Sequence, residues 1–195
     1  MNTLRRVCVY CGSSAGHDPA YRAAAEELGR HLAGRKIGLV YGGGKVGLMG
    51  ALANAVLAGG GEVIGVIPHH LLALEVGHHG VTSLIAVDTM HARKHQMAEM
   101  ADAFIALPGG IGTAEELLEV FTWLQLGLHA KPVALLNTLG YYRHLADFLA
   151  HMVGTGFLKE AHRSMLIVED EIAPLLAKLE TFTPTRVDKR VTAVE

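Results

Sequence analysis

No stretch of this chain approaches the roughly 18 consecutive apolar residues that a membrane-spanning helix needs, so no membrane association is expected. The opening MNTLRRVCVYCGSS runs straight into strand-like sequence without the apolar core of a signal peptide, and a cytoplasmic location is expected. An excess of one charge is lacking too. Of the 195 residues 18% are charged and the formal net charge is −2, which is not the basic footprint of a nucleic-acid binder. A small-molecule or protein partner fits better, with no nucleic acid. Cysteine is scarce: Cys8 and Cys11 form a single C-x-x-C, and without a second such pair a structural zinc site has no ligand set. RVCVYC has strand character, and residues three apart in a strand point to opposite faces, whereas redox pairs sit at helix N-termini. Two ordinary strand cysteines are expected. Internal repeats and linkers are absent, and the length suits one domain better than two.

What is present is an alternation. Short apolar runs at Arg6 to Cys11, Lys36 to Tyr41, Glu62 to Ile67, Val81 to Ala86, Ala103 to Leu107, Pro132 to Leu136 and Met165 to Val168 read as strands. Between most of them lie helical patterns at Ala20 to Ala33, Leu48 to Ala58, Met90 to Met100, Thr113 to Leu126 and Tyr141 to Val153. This predicts βαβ units and an α/β fold: a Rossmann-like, doubly wound, mainly parallel sheet with helices on both faces. Residues 1–182 are assigned to one Rossmann-like domain and the polar residues 183–195 to a mobile tail. The segment Pro68 to Gly80 has no clear period and reads as a loop with a helical turn at most.

Sheets of this kind bind ligands beyond the carboxyl ends of their strands, so glycines that follow strands matter most. Three sets occur: CGSSAG, YGGGKVGLMG and PGGIGT. Gly42, Gly44 and Gly47 satisfy G-x-G-x-x-G, but that fingerprint belongs after the first strand and wants an acid ending the next one, where this chain has Ile67 and Pro68. No nicotinamide cofactor is expected; these glycines either let a helix pack on the sheet or let the backbone approach a ligand. In PGGIGTAEE, Gly109, Gly110 and Gly112 allow N–H groups to turn inward, and a helix starting near Thr113 adds free N–H donors and a positive dipole end. A phosphate suits such a place. The competing explanation is a tight turn capped by Thr113, with Glu116 three residues on completing a capping box. In MHARKH, Arg93 and Lys94 either reach an anion at the same sheet edge or lie on a solvated face. His91 and His95 have metal-ligand spacing but lack the glutamate of H-E-x-x-H, and the pairs His69-His70 and His78-His79 define no ligand geometry, so no metal is expected.

Taken together, YGGGKVGLMG, MHARK and PGGIGTAEE, in this order and spacing, resemble the LOG family of cytokinin riboside 5′-monophosphate phosphoribohydrolases, whose signature is PGGxGTxxE. The likeness covers about residues 4 to 180 and includes CVYCGSSAG, VIGVIP, EELLEVFTWLQLG and KPVALLN. Bacterial relatives have often been labelled lysine decarboxylases, a name the family's chemistry does not support. The resemblance implies hydrolysis of the N-glycosidic bond of AMP or an N6-substituted AMP, giving free base and ribose 5-phosphate, with no cofactor. It implies Arg93 and Glu116 as the catalytic pair. Gly109, Gly110, Gly112 and Thr113 would hold the phosphate, with Thr122 as a further contact. Gly12 and Ser13 would flank the nucleotide, Glu75 would contact ribose or base, and Met90 and Lys94 would line the site. It also implies a homodimer whose partner subunit helps complete the active site, which agrees with a helix 113–126 that carries more apolar residues than one face requires.

The chemistry agrees with the resemblance. Glycosidic cleavage builds oxocarbenium charge on the ribose, so a carboxylate one helical turn beyond a phosphate loop can offset that charge and activate water. Adjacent helical residues differ by about 100°, so Glu115 and Glu116 cannot share one role; Glu116 is assigned to water and ribose, Glu115 to a ribose contact or the helix dipole. Two other functions compete. One is a non-catalytic carrier of a nucleotide or of molybdenum cofactor; the other is a pyridoxal-phosphate decarboxylase with Lys94 as Schiff base.

Overall fold

The computed structural model describes residues 3–72 and 77–185. Seven strands join in one sheet: β1 (Arg6–Tyr10), β2 (Gly38–Tyr41), β3 (Val63–Pro68), β4 (Ser83–Val87), β5 (Ala103–Ala106), β6 (Val133–Leu136) and β7 (Leu166–Glu169). Their order is β4-β3-β2-β1-β5-β6-β7, and every pairing is parallel. Each strand falls within two residues of its expected place. The inner strands are buried on both faces, which is why their sequences are apolar without alternation.

The helices are α1 (Pro19–Gly34), α2 (Gly47–Ala58), α3 (His69–Leu72), α4 (Met90–Met100), α5 (Ile111–Leu126), α6 (Arg143–Gly154), α7 (Glu160–Arg163) and α8 (Ile172–Thr181). Short α3 is the helical turn expected within Pro68 to Gly80, whereas α7 and the C-terminal α8 go beyond the helices read from the sequence. Leu175, Leu176 and Leu179 of α8 are fully buried, so this helix belongs to the core. The expected tail lies mostly outside the described residues.

Two apolar cores sandwich the sheet. Val7 and Val9 point into one, with Leu28, Leu32, Leu52, Val56 and Leu176; Cys8 and Tyr10 point into the other, with Met97, Leu117, Val120, Phe121 and Leu124. Cys8 and Cys11 are free, buried and on opposite faces, and burial pushes both thiols well up from their ordinary range.

The order reverses at β1, whose two neighbours are β2 and β5. That reversal opens a crevice at the carboxyl ends of β1 and β5, where the chain passes into Gly12 and Pro108. The two loops touch: Gly12 N donates to the Pro108 carbonyl at 3.1 Å.

Candidate active site

Helix α5 sets the site by its periodicity. Thr113, Glu116, Leu117, Val120, Phe121 and Leu124 form its buried stripe, so the spacing that anchors the apolar residues also turns Thr113 and Glu116 inward at the crevice. Glu115 lies on the exposed side. Helix α4 does the same with Arg93, Lys94, Met97 and Ala98, leaving His91 and His95 exposed.

Arg93 and Glu116 meet in the interior, with Nη1 to Oε1 at 3.5 Å and only 8% and 10% of their side chains exposed. The guanidinium is held from two further sides: Nε donates to the Val66 carbonyl at 3.1 Å and Nη2 to the Gly42 carbonyl at 3.3 Å. Its Nη1 also approaches Met90 Sδ at 3.9 Å. A Cβ on Gly42 would lie 2.0 Å from Arg93 Nη2. The glycine after β2 therefore makes room for an arginine, a close approach within the protein and not a dinucleotide fingerprint. Gly47 has a similar reason, since its φ is +62° and a Cβ would sit 2.2 Å from the Ser13 carbonyl oxygen.

The helix begins earlier than the sequence suggests. Gly110 is the N-cap of α5 and makes no side-chain cap hydrogen bond, so the capping box of Thr113 and Glu116 does not form. Thr113 sits instead in the first turn, its hydroxyl against Gly109, where a Cβ would lie 2.2 Å from Oγ1. Gly110 and Gly112 differ from Gly109: a Cβ at either would meet nothing within 4 Å. Packing among the described residues does not require glycine there. The effect is an uncovered helix N-terminus, whose first N–H groups have no intrahelical acceptor.

Lys94 turns away from Arg93. Its Nζ donates to Glu115 Oε1 and, at 3.0 Å, to Glu119 Oε1. Burial alone would lower the pKa of this ammonium, but the hydrogen bonds and charges of the two carboxylates outweigh it and hold the group above its ordinary value. A lysine so held is the reverse of the neutral amine that forms a Schiff base. Glu115 is thereby an ion-pair partner, which separates it from Glu116. Thr122 is not brought to the glycine loop: it is exposed, nine residues and about 13 Å along α5 from Thr113, with its hydroxyl donating to the Leu118 carbonyl at 2.7 Å. Glu75 lies outside the described residues.

A cavity of about 220 Å³ opens at the crevice between Ser13 to Gly16, Gly109 and Gly110, with Tyr21, Leu48 and Tyr141 on its walls. Sequence reasoning found its glycines and missed its tyrosines. The signal for Tyr141 lies in YY, which follows β6 at the same edge of the sheet as the glycine loop. Among the described residues no group of three or more His, Cys, Asp or Glu is placed to hold a metal ion. No helix among them is long and apolar enough to cross a membrane.

Comparisons with known proteins show the family and the fold. The family described as possible lysine decarboxylase matches residues 49–179. A probable cytokinin riboside 5′-monophosphate phosphoribohydrolase of Oryza sativa subsp. japonica is 52% identical over 93% of this chain and 80% of its own length. A cytokinin riboside 5′-monophosphate phosphoribohydrolase of Arabidopsis thaliana is 51% identical over 93% of this chain and 85% of its own. Among solved structures, the molybdenum cofactor carrier protein of Chlamydomonas reinhardtii shares the fold with a TM-score of 0.69 at 21% identity, over 92% of this chain and 98% of that one.

Proposed function

The chain belongs to the LOG family of cytokinin riboside 5′-monophosphate phosphoribohydrolases, and from that membership we propose that it hydrolyses the N-glycosidic bond of AMP or an N6-substituted AMP, releasing free base and ribose 5-phosphate. The observation that carries this reading is the buried Arg93–Glu116 pair one turn below a helix N-terminus left uncovered by Gly110 and Gly112. A buried ion pair adds little to stability over apolar packing of the same volume, so its position beside an anion-binding loop points to chemistry.

In the proposed reaction the phosphate rests on the N–H groups of Gly109, Gly110, Gly112 and Thr113, with Gly12 and Ser13 flanking the nucleotide. Anchoring the phosphate positions C1′ near Glu116. Glu116 takes one proton from water while the water oxygen bonds to C1′ and the C1′–N9 electron pair leaves with the base; that proton then passes through solvent to the departing base, which restores the carboxylate. Arg93, fixed by two backbone carbonyls, keeps Glu116 in place. Met90, Lys94 and Glu115 border the pair, and Glu75 is assigned to the ribose or base. No metal or other cofactor takes part, and the protein works in the cytoplasm.

The partner is a second copy of the chain. Leu118, Leu126 and Leu128, on and just after α5, are 40%, 45% and 70% exposed, whereas Leu117, Val120, Phe121 and Leu124 serve the protein's own core. Thr122 lies one turn from Leu118 on the same helix face, so a nucleotide contact from Thr122 would reach across that interface.

The test is incubation with AMP and with its N6-isopentenyl analogue while following free base. Release of base is expected. Tight binding without release would indicate the carrier reading instead. Adenosine is expected to be a much poorer substrate than AMP, since the missing phosphate removes several charge-assisted hydrogen bonds of about 1.5 to 3 kcal/mol each. Equal kcat/KM for the two would remove the role given to PGGIGT.

A further inference from the structure

We propose that Tyr141 and Tyr142 are positioning residues that aim the backbone N–H groups of the glycine loop at the phosphate; this rests on the function proposed above. Three successive carbonyls of the loop are each captured from outside it. The Tyr142 hydroxyl donates to the Leu107 carbonyl at 2.6 Å, Gly12 N to the Pro108 carbonyl at 3.1 Å, and the Tyr141 hydroxyl to the Gly109 carbonyl.

A trans peptide is planar, so fixing a carbonyl fixes the next N–H in the opposite direction. The bond from Gly12 therefore sets the Gly109 N–H, and the bond from Tyr141 sets the Gly110 N–H. Residue 108 is proline and has no N–H, so the bond from Tyr142 instead fixes the peptide plane on which the loop starts. Glycine has the widest backbone freedom, and without these donors the Gly109 and Gly110 planes could rotate. The loop supplies flexibility enough to form the site, and the tyrosines remove it again.

The tyrosines are themselves firmly placed. Tyr142 is 5% exposed, its backbone N donates to Asn137 Oδ1 at 2.8 Å, and burial pushes its hydroxyl well above the usual phenol range, keeping it a donor. The rings of Tyr141 and Tyr142 meet edge to face at 5.0 Å, and Tyr21 of α1 meets Tyr141 at 5.9 Å. The turn that delivers them contains Leu139 at φ 54°, a left-handed conformation that a leucine adopts only when its surroundings impose it.

Tyr141→Phe and Tyr142→Phe retain the rings and remove only the donors. Calorimetric binding of ribose 5-phosphate and of free adenine, with AMP kinetics and Tm, makes the test. Each variant is expected to bind ribose 5-phosphate about tenfold more weakly, as for loss of one well-aimed hydrogen bond, with KM for AMP raised in parallel. Adenine affinity should stay near wild type in both variants, and Tm should fall by a few degrees only in Tyr142→Phe, where the buried Leu107 carbonyl loses its donor. Wild-type affinity for ribose 5-phosphate in both variants would overturn the proposal, as would equal losses for adenine and ribose 5-phosphate, which mark general damage. If the wild-type protein itself neither binds ribose 5-phosphate nor releases base, the proposed function fails with it.

Discussion

Glu116→Gln is expected to lower kcat by about 10² or more while AMP remains bound, because both proton removal from water and electrostatic support of the ribosyl cation are lost together. Glutamine keeps the volume of the side chain and a polar end, so the buried stripe of α5 stays packed. The Arg93 guanidinium then faces an amide, although its bonds to the Val66 and Gly42 carbonyls persist, and the protein should fold with a lowered Tm. Turnover, AMP affinity and melting together separate the two effects. Near-normal kcat in this variant would remove Glu116 from the chemistry and make Glu115 the acid to test. Because Gly110 and not Thr113 caps the helix, loss of a cap cannot account for any change seen here.

Arg93→Ala should be the more destructive substitution for the fold. It removes a cation held by three groups and leaves the Glu116 carboxylate and the Gly42 and Val66 carbonyls to be satisfied otherwise. Breaking one partner out of a buried pair costs about 3 to 5 kcal/mol, which for a chain of this size lowers Tm on the order of 10 °C. Turnover should fall as well. Arg93→Lys is the informative companion: it restores the charge but not the planar fork that reaches two carbonyls and a carboxylate at once. Stability partly recovered with turnover still low is the expected pattern. A lysine variant with wild-type kcat would reduce Arg93 to a source of charge.

The sheet was readable in the sequence because its inner strands are buried on both faces and so appear as bare apolar runs. Helix α8 carries the helical spacing i, i+3, i+4, i+7 in Ile172, Leu175, Leu176 and Leu179, and its period was legible; Pro174 in the first turn obscures its start. Glu116 could have been separated from Glu115 by periodicity alone: counting back from Val120 by four gives 116, and from Leu117 by four gives 113, the two inward polar positions. The start of α5 was misplaced by the natural preference for a threonine cap, and the glycine that takes that position makes no side-chain bond. Long-range contacts were not legible. Nothing in NTLGYY announces that two hydroxyls meet carbonyls more than thirty residues earlier, nor in YGGG that the first glycine stands aside for Arg93. Such pairings follow from topology, which brings the ends of β2, β5 and β6 to one edge.

The two sealed cysteines give this protein a pair of built-in clocks. Cys8, fully buried, is enclosed by the layer containing α4 and α5, and Cys11, 8% exposed, is covered by the layer containing α1 and α2, so each thiol opens fully to a reagent only when its own layer lifts from the sheet. Alkylation followed by peptide mass analysis therefore times the opening of each half separately. Equal rates would describe a sheet that sheds both coverings in one cooperative event; unequal rates would show which half yields first, and whether nucleotide slows the side that holds Arg93 and Glu116.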